Sequence, residues 1–107
     1  MPDDILNQLT AILEQRKDAD PASSYVARLY HSGIDAIRKK IGEEATEVVI
    51  ATGGSDRAAI VHEMADLWFH CLVALVQQGI DPQQVMTELA RRFGTSGLEE
   101  KAARQSQ

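Results

Sequence analysis

The sequence predicts an all-α fold, on three observations. Apolar residues return at steps of three and four through most of the chain, as one face of a helix requires. Gly, Pro, Asp and Ser gather where those stripes stop, in the positions of helix breakers and caps. No stretch alternates apolar and polar residues as a half-buried strand would. With 107 residues the chain reads as one domain, residues 1–107. The expected architecture is a helical bundle of about five helices, completed by homodimerisation, because so small a domain buries only about two-thirds of its unfolded surface.

In chain order, Ile5, Leu6, Leu9, Ile12 and Leu13 form the stripe of a first helix from Asp4 to Lys17, with Asp3 or Asp4 as its cap. The segment DADPASS, Asp18 to Ser24, is a turn in which Pro21 holds Asp20 away from helical angles. Ser23 or Ser24 caps a short helix, Tyr25 to His31, that Gly33 ends. Ile34, Ile37, Ile41, Ala45, Val48 and Thr52 then mark a long helix through Ala51, with Gly42 inside it. There the missing side chain would let another group approach the backbone. Gly53-Gly54 breaks this helix, and Ser55 or Asp56 caps the next, Arg57 to Gln78. From Met64 to Val76 that helix is apolar on nearly every face, Trp68 and Phe69 included, and so should be buried all round, partly by a second subunit. After Gly79, Asp81-Pro82 opens a helix whose inward stripe is Val85, Met86, Leu89 and Phe93. Gly94 closes it, and Leu98 to Arg104 forms a last polar helix.

Composition narrows the partners. A net charge of −5 disfavours a nucleic-acid backbone, which needs a basic surface. An anionic small substrate remains open if a metal and local cations offset the charge. The lone cysteine, Cys71, reads as a small core residue in a reducing compartment. The N-terminal MPDDILNQ has neither the basic nor the apolar region of a secretory signal. The apolar run Leu67 to Val76 is too short to cross a bilayer. The expectation is a cytoplasmic protein with no membrane partner.

The chemistry concentrates between Lys39 and Asp66. Glu44 and Glu47 are spaced i, i+3, as are Glu63 and Asp66, with a Gly-Gly-Ser break between the pairs. Residues so spaced share a helix face, with Cβ atoms about 5–6 Å apart. Fifteen residues and a tight turn separate Glu47 from Glu63, so an antiparallel hairpin can bring four carboxylates together. Carboxylates gathered on a partly apolar wall repel one another unless a cation joins them. Oxygen-only ligands favour Mg²⁺, with Mn²⁺ also admissible. The plain alternative for either pair alone is a solvated helix face. No histidine stands three residues beyond a candidate acid, which argues against a di-iron site. An open all-oxygen site suits Mg²⁺ bound to a polyphosphate.

Lys39 and Lys40, about one turn before the first pair, and Arg28 on the preceding helix can neutralise a phosphate ester. Lys40 with Glu44 also reads as an ordinary i, i+4 ion pair. His70, four residues after Asp66, can orient that carboxylate, contact substrate or sit in the core. His31 and His62 carry no specific signal.

These residues match a known pattern. GEEATE, Gly42 to Glu47, followed by EMADLWFH, Glu63 to His70, resembles the phosphoribosyl-ATP pyrophosphohydrolases of histidine biosynthesis. These are all-α nucleoside triphosphate pyrophosphohydrolases of the MazG-like superfamily. The superfamily signature, Glu-Glu-x-x-Glu then Glu-x-x-Asp, falls on Glu43, Glu44, Glu47, Glu63 and Asp66. SYVARL at Ser24 to Leu29, the KKIGEEATEVVIA run and SGLEEKAAR at Ser96 to Arg104 narrow the resemblance to the histidine-pathway enzyme. Val26 departs from the threonine common in that family but touches no metal position.

The resemblance implies Mg²⁺-dependent hydrolysis of 1-(5-phosphoribosyl)-ATP to 1-(5-phosphoribosyl)-AMP and pyrophosphate by a homodimer, in the freestanding form without a fused cyclohydrolase. It implies Glu44, Glu47, Glu63 and Asp66 as metal ligands and Glu43 as the group that activates water or adds a metal contact. Arg28, Lys39, Lys40 and His70 are then the substrate-binding candidates. Two other readings stand beside it: a housecleaning pyrophosphohydrolase for free or damaged nucleotides, and a non-catalytic helical dimerisation module.

Overall fold

A computed structural model describes residues 5–93 of the chain, and over them the protein is all-helical. The elements are α1 (Ile5–Gln15) with a 3₁₀ turn at Arg16–Asp18, α2 (Tyr25–Ser32), α3 (Ile34–Thr52), α4 (Arg57–Gln77) and α5 (Gln83–Arg91). The expected caps at Asp3 or Asp4, the closing Gly94 and the helix Leu98 to Arg104 lie outside the described residues.

Local chemistry sets most boundaries. The Ser24 hydroxyl accepts from the Ala27 amide at 3.1 Å and opens α2. A single residue, Gly33, joins α2 to α3. Its φ of 96° is open to glycine and strained for any L side chain. Asp56 starts α4 by accepting from the Ala59 amide at 3.1 Å. At the other end the Ile80 amide donates to Leu75 O at 2.9 Å and the Gly79 amide to Val76 O at 3.0 Å. This is a Schellman ending, with Gly79 at φ 74°. Asp81 opens α5, its carboxylate accepting from the Gln83 amide at 2.9 Å beside a buried Pro82.

The α3–α4 hairpin is the frame, and its two helices share the largest interface among the described residues. Against it lie α1, packed on α4, and α2, packed on α3. The core joins Leu13 of α1, Val26 and Leu29 of α2, Ile37 of α3, and Val73 and Val76 of α4. Phe69, Leu72, Ile34 and Ile41 pack against it. The Tyr30 hydroxyl donates to Leu13 O at 3.0 Å, tying α2 to the end of α1.

Three expectations need correction. Trp68, read as core, is 69% exposed, and Val61, two turns earlier on the same face of α4, is 68% exposed. Within one chain only His70, Val73 and Val76 of α4 are buried. Among the described residues no further helix lies over the remaining faces. For the same reason the α5 stripe does not face inward: Val85, Met86, Leu89 and Phe93 are all exposed. Finally, α4 is 21 residues long and contains an 18-residue window with a mean hydropathy of 1.5, which by length and composition alone could cross a membrane. The uninterrupted run Leu67–Val76 understated it, because Ala58 to Met64 extend the apolar helix past its two acids.

Candidate active site

The first acidic group occupies the middle of α3. Lys40 reaches along its own helix to Glu43 at 3.5 Å and Glu44 at 3.4 Å. Glu44 is the more sheltered carboxylate, its side chain 12% exposed against 48% for Glu43. Burial would lower the Lys40 pKa. The hydrogen bond to Glu44, with Tyr25 and the charges of Glu43 and Glu44, outweighs it and holds the ammonium above its ordinary pKa. Glu47, one turn further on, is exposed, as are Lys39 and Arg28. A Cβ built on Gly42 would meet nothing within 4 Å, so the backbone beside this group is open to approach.

The second group lies on α4. The side-chain donor atoms of His62, Glu63 and Asp66 all come within 4.8 Å of one another. His62 Nε2 stands 3.3 Å from Asp66 Oδ2. Two carboxylates and an imidazole at that separation can close on one divalent cation. Glu44 and Glu47, on the facing helix, are not in this cluster. Thus each helix of the hairpin carries its own group, His62, Glu63 and Asp66 on α4 and Lys40, Glu43 and Glu44 on α3. His62 carried no signal from composition, although its i, i+4 spacing to Asp66 was there to read.

Beneath Asp66 lies His70, 5% exposed. Its Nδ1 is 2.7 Å from the Asp66 carbonyl oxygen. Its Nε2 is 2.8 Å from the Tyr25 hydroxyl. The Tyr25 ring meets the imidazole edge-on at 5.8 Å, and the Phe69 ring does the same at 5.5 Å. Both ring nitrogens of His70 are therefore engaged within the protein. The Tyr25–His70 bridge spans 45 residues of sequence, and no local pattern announces it. Cys71 next to it is half-buried, and burial pushes its thiol pKa up, away from a reactive thiolate.

Two helices of one hairpin thus present carboxylates with a lysine on one side and a histidine on the other. Residues 6–93 match the family description for phosphoribosyl-ATP pyrophosphohydrolase, which takes in every one of these side chains. The chain belongs to the phosphoribosyl-ATP pyrophosphohydrolase family. It is 61% identical to a phosphoribosyl-ATP pyrophosphatase of Methylococcus capsulatus over 101 residues, covering 94% of this chain and 96% of that protein. Proteins of the same name from Verminephrobacter eiseniae and Methylibium petroleiphilum are each 59% identical, covering 94% and 95% of this chain and 81% and 85% of theirs. For a phosphoribosyl-ATP pyrophosphohydrolase the arrangement is chemically apt. The polyphosphate to be cut is anionic, and acids can meet it only with a cation between. The acidic cluster on α4 is of the kind that holds a divalent metal.

Proposed function

We propose that this protein hydrolyses 1-(5-phosphoribosyl)-ATP to 1-(5-phosphoribosyl)-AMP and pyrophosphate, the second step of histidine biosynthesis. The observation that carries the reading is the His62–Glu63–Asp66 donor cluster on a chain so closely related to phosphoribosyl-ATP pyrophosphatases.

In this reading Glu44, Glu47, Glu63 and Asp66 hold Mg²⁺, with Mn²⁺ able to replace it. A bound divalent cation draws charge from the phosphate oxygens and orients them. Glu43 takes the proton from the attacking water, which opens the anhydride and releases pyrophosphate. Lys40 stays charged beside it and, with Lys39 and Arg28, meets phosphate oxygens as charge builds on the leaving group. His70, the remaining substrate-binding candidate, is buried with both ring nitrogens engaged and serves this site by holding Tyr25 and Asp66 in place. Two copies pair through the uncovered apolar residues of the hairpin, Val49, Ile50, Val61 and Trp68, all more than 60% exposed in one chain. The assembly works in the cytoplasm, α4 being the core helix of a soluble dimer rather than a membrane span.

The test is turnover with Mg²⁺ on phosphoribosyl-ATP against a panel of canonical and modified nucleotides. Preference for phosphoribosyl-ATP is expected. Preference for a free nucleotide would assign the chain to housecleaning instead. Asp66→Asn and Glu47→Gln should each abolish pyrophosphate release and weaken metal binding by calorimetry. If both variants keep both properties, the site is misplaced.

A further inference from the structure

The two acidic groups of the hairpin differ in what already satisfies them. On α3, Lys40 pairs with Glu43 at 3.5 Å and with Glu44 at 3.4 Å. On α4, among the described residues, no lysine or arginine pairs with Glu63 or Asp66. Their neighbour is an imidazole instead, with His62 Nε2 3.3 Å from Asp66 Oδ2. The donor atoms of all three side chains lie within 4.8 Å of one another. Around a six-coordinate ion with bonds of about 2.1 Å, adjacent donors stand about 3 Å apart and opposite ones about 4.2 Å. Small side-chain rotations close the difference, and the His62 side chain, 71% exposed, is free of packing that would oppose them. The residues present therefore fit a divalent cation.

The donors also share one support. His62 and Asp66 are spaced i, i+4 and Glu63 and Asp66 i, i+3, so all three rise from one side of α4. The set they offer is two carboxylates and one ring nitrogen. Carboxylates suit Mg²⁺ and Mn²⁺ alike, whereas an imidazole favours first-row transition metals over Mg²⁺. We propose that His62, through Nε2, is a further ligand of the divalent cation held by Glu63 and Asp66. It thereby biases the site toward Mn²⁺ and the later first-row cations over Mg²⁺. The proposal deepens the metal site of the pyrophosphohydrolase reading and rests on that reading for the use of the site in hydrolysis.

Manganese reports its own ligands by pulsed electron paramagnetic resonance, on the loaded protein without substrate. Wild type should show the ¹⁴N coupling of a bound imidazole, replaced by ¹⁵N coupling when the histidines are isotope-labelled. His62→Ala should lose it, and circular dichroism should show the helices unchanged, the side chain being exposed. By calorimetry Mn²⁺ should bind His62→Ala at least about tenfold more weakly than wild type, with Mg²⁺ affinity changed by no more than about twofold. No nitrogen coupling in wild type, a coupling that persists in His62→Ala, or a wild type that binds no Mn²⁺ would each overturn the proposal. So would an unchanged Mn²⁺ affinity, or an equal loss of Mn²⁺ and Mg²⁺. None of these measurements contains phosphoribosyl-ATP. Wild type that shows the coupling but does not hydrolyse phosphoribosyl-ATP defeats the functional reading alone. Hydrolysis without the coupling defeats the His62 ligand alone.

Discussion

At the scale of single residues, Glu44 and Tyr30 make the sharpest cases. Glu44 is the most enclosed of the α3 acids and shares Lys40 with Glu43. Glu44→Gln keeps its shape and removes the charge that both the ammonium and a divalent cation require. Turnover should fall at least about 100-fold, since one such contact is worth several kcal/mol in the transition state. A ten-fold excess of Mg²⁺ should restore little of it, and near-normal activity at saturating metal would remove Glu44 from the site. Tyr30 tests the packing instead. Burial first, and the charge of Glu14 second, push its phenol from 10.0 up to about 12. The unfolded chain therefore loses this proton before the folded one. The contribution of Tyr30 is complete below pH 10 and drains away as pH climbs toward about 12. Melting curves of wild type and Tyr30→Phe should diverge in slope across that window, and parallel curves would show that the phenol is unperturbed.

At the scale of helices, what could be read from sequence was whatever is local. Ser24 and Asp56 were legible as caps because a cap is a contact across three residues. The ends of α3 and α4 came out within one residue, because Gly53-Gly54 and Gly79 leave little choice. The acidic pairs were legible for the same reason: i, i+3 spacing is a property of one helix. The Tyr25–His70 bridge was not, since it joins residues that only the packing of α2 on the hairpin brings together. Nor was the place of Trp68, because periodicity shows which faces are apolar but not what covers them. The cap on α4 offers a direct measurement. Asp56→Ala should cost about 1 kcal/mol of stability, read from a denaturant midpoint, with the slope unchanged. Asp56→Ser should recover most of it; if it does not, the carboxylate matters for something other than the Ala59 amide.

For the whole molecule, the apolar surface decides stability. Val49, Ile50, Val61 and Trp68 lie uncovered in a single chain, and burying such side chains is worth roughly 1.5–3 kcal/mol each. The pairing proposed above would make the melting temperature rise with protein concentration, as any association linked to folding does. Trp68→Glu should shift the population to monomer by light scattering on a sizing column, lower the melting temperature, and leave the helical content largely intact. A variant that stays dimeric would move the interface to another face.

Trp68 is also the only tryptophan in the chain, and it stands on that uncovered surface rather than in the core. Its fluorescence is therefore a native reporter of a single face. Dissolved alone, the indole should emit at the red wavelengths of a wetted ring and be open to quenching by iodide. As copies meet, the emission should move to the blue and the quenching should fade. Intrinsic light from one unlabelled residue can thus be titrated into an association curve, with no dye or tag to disturb the contact.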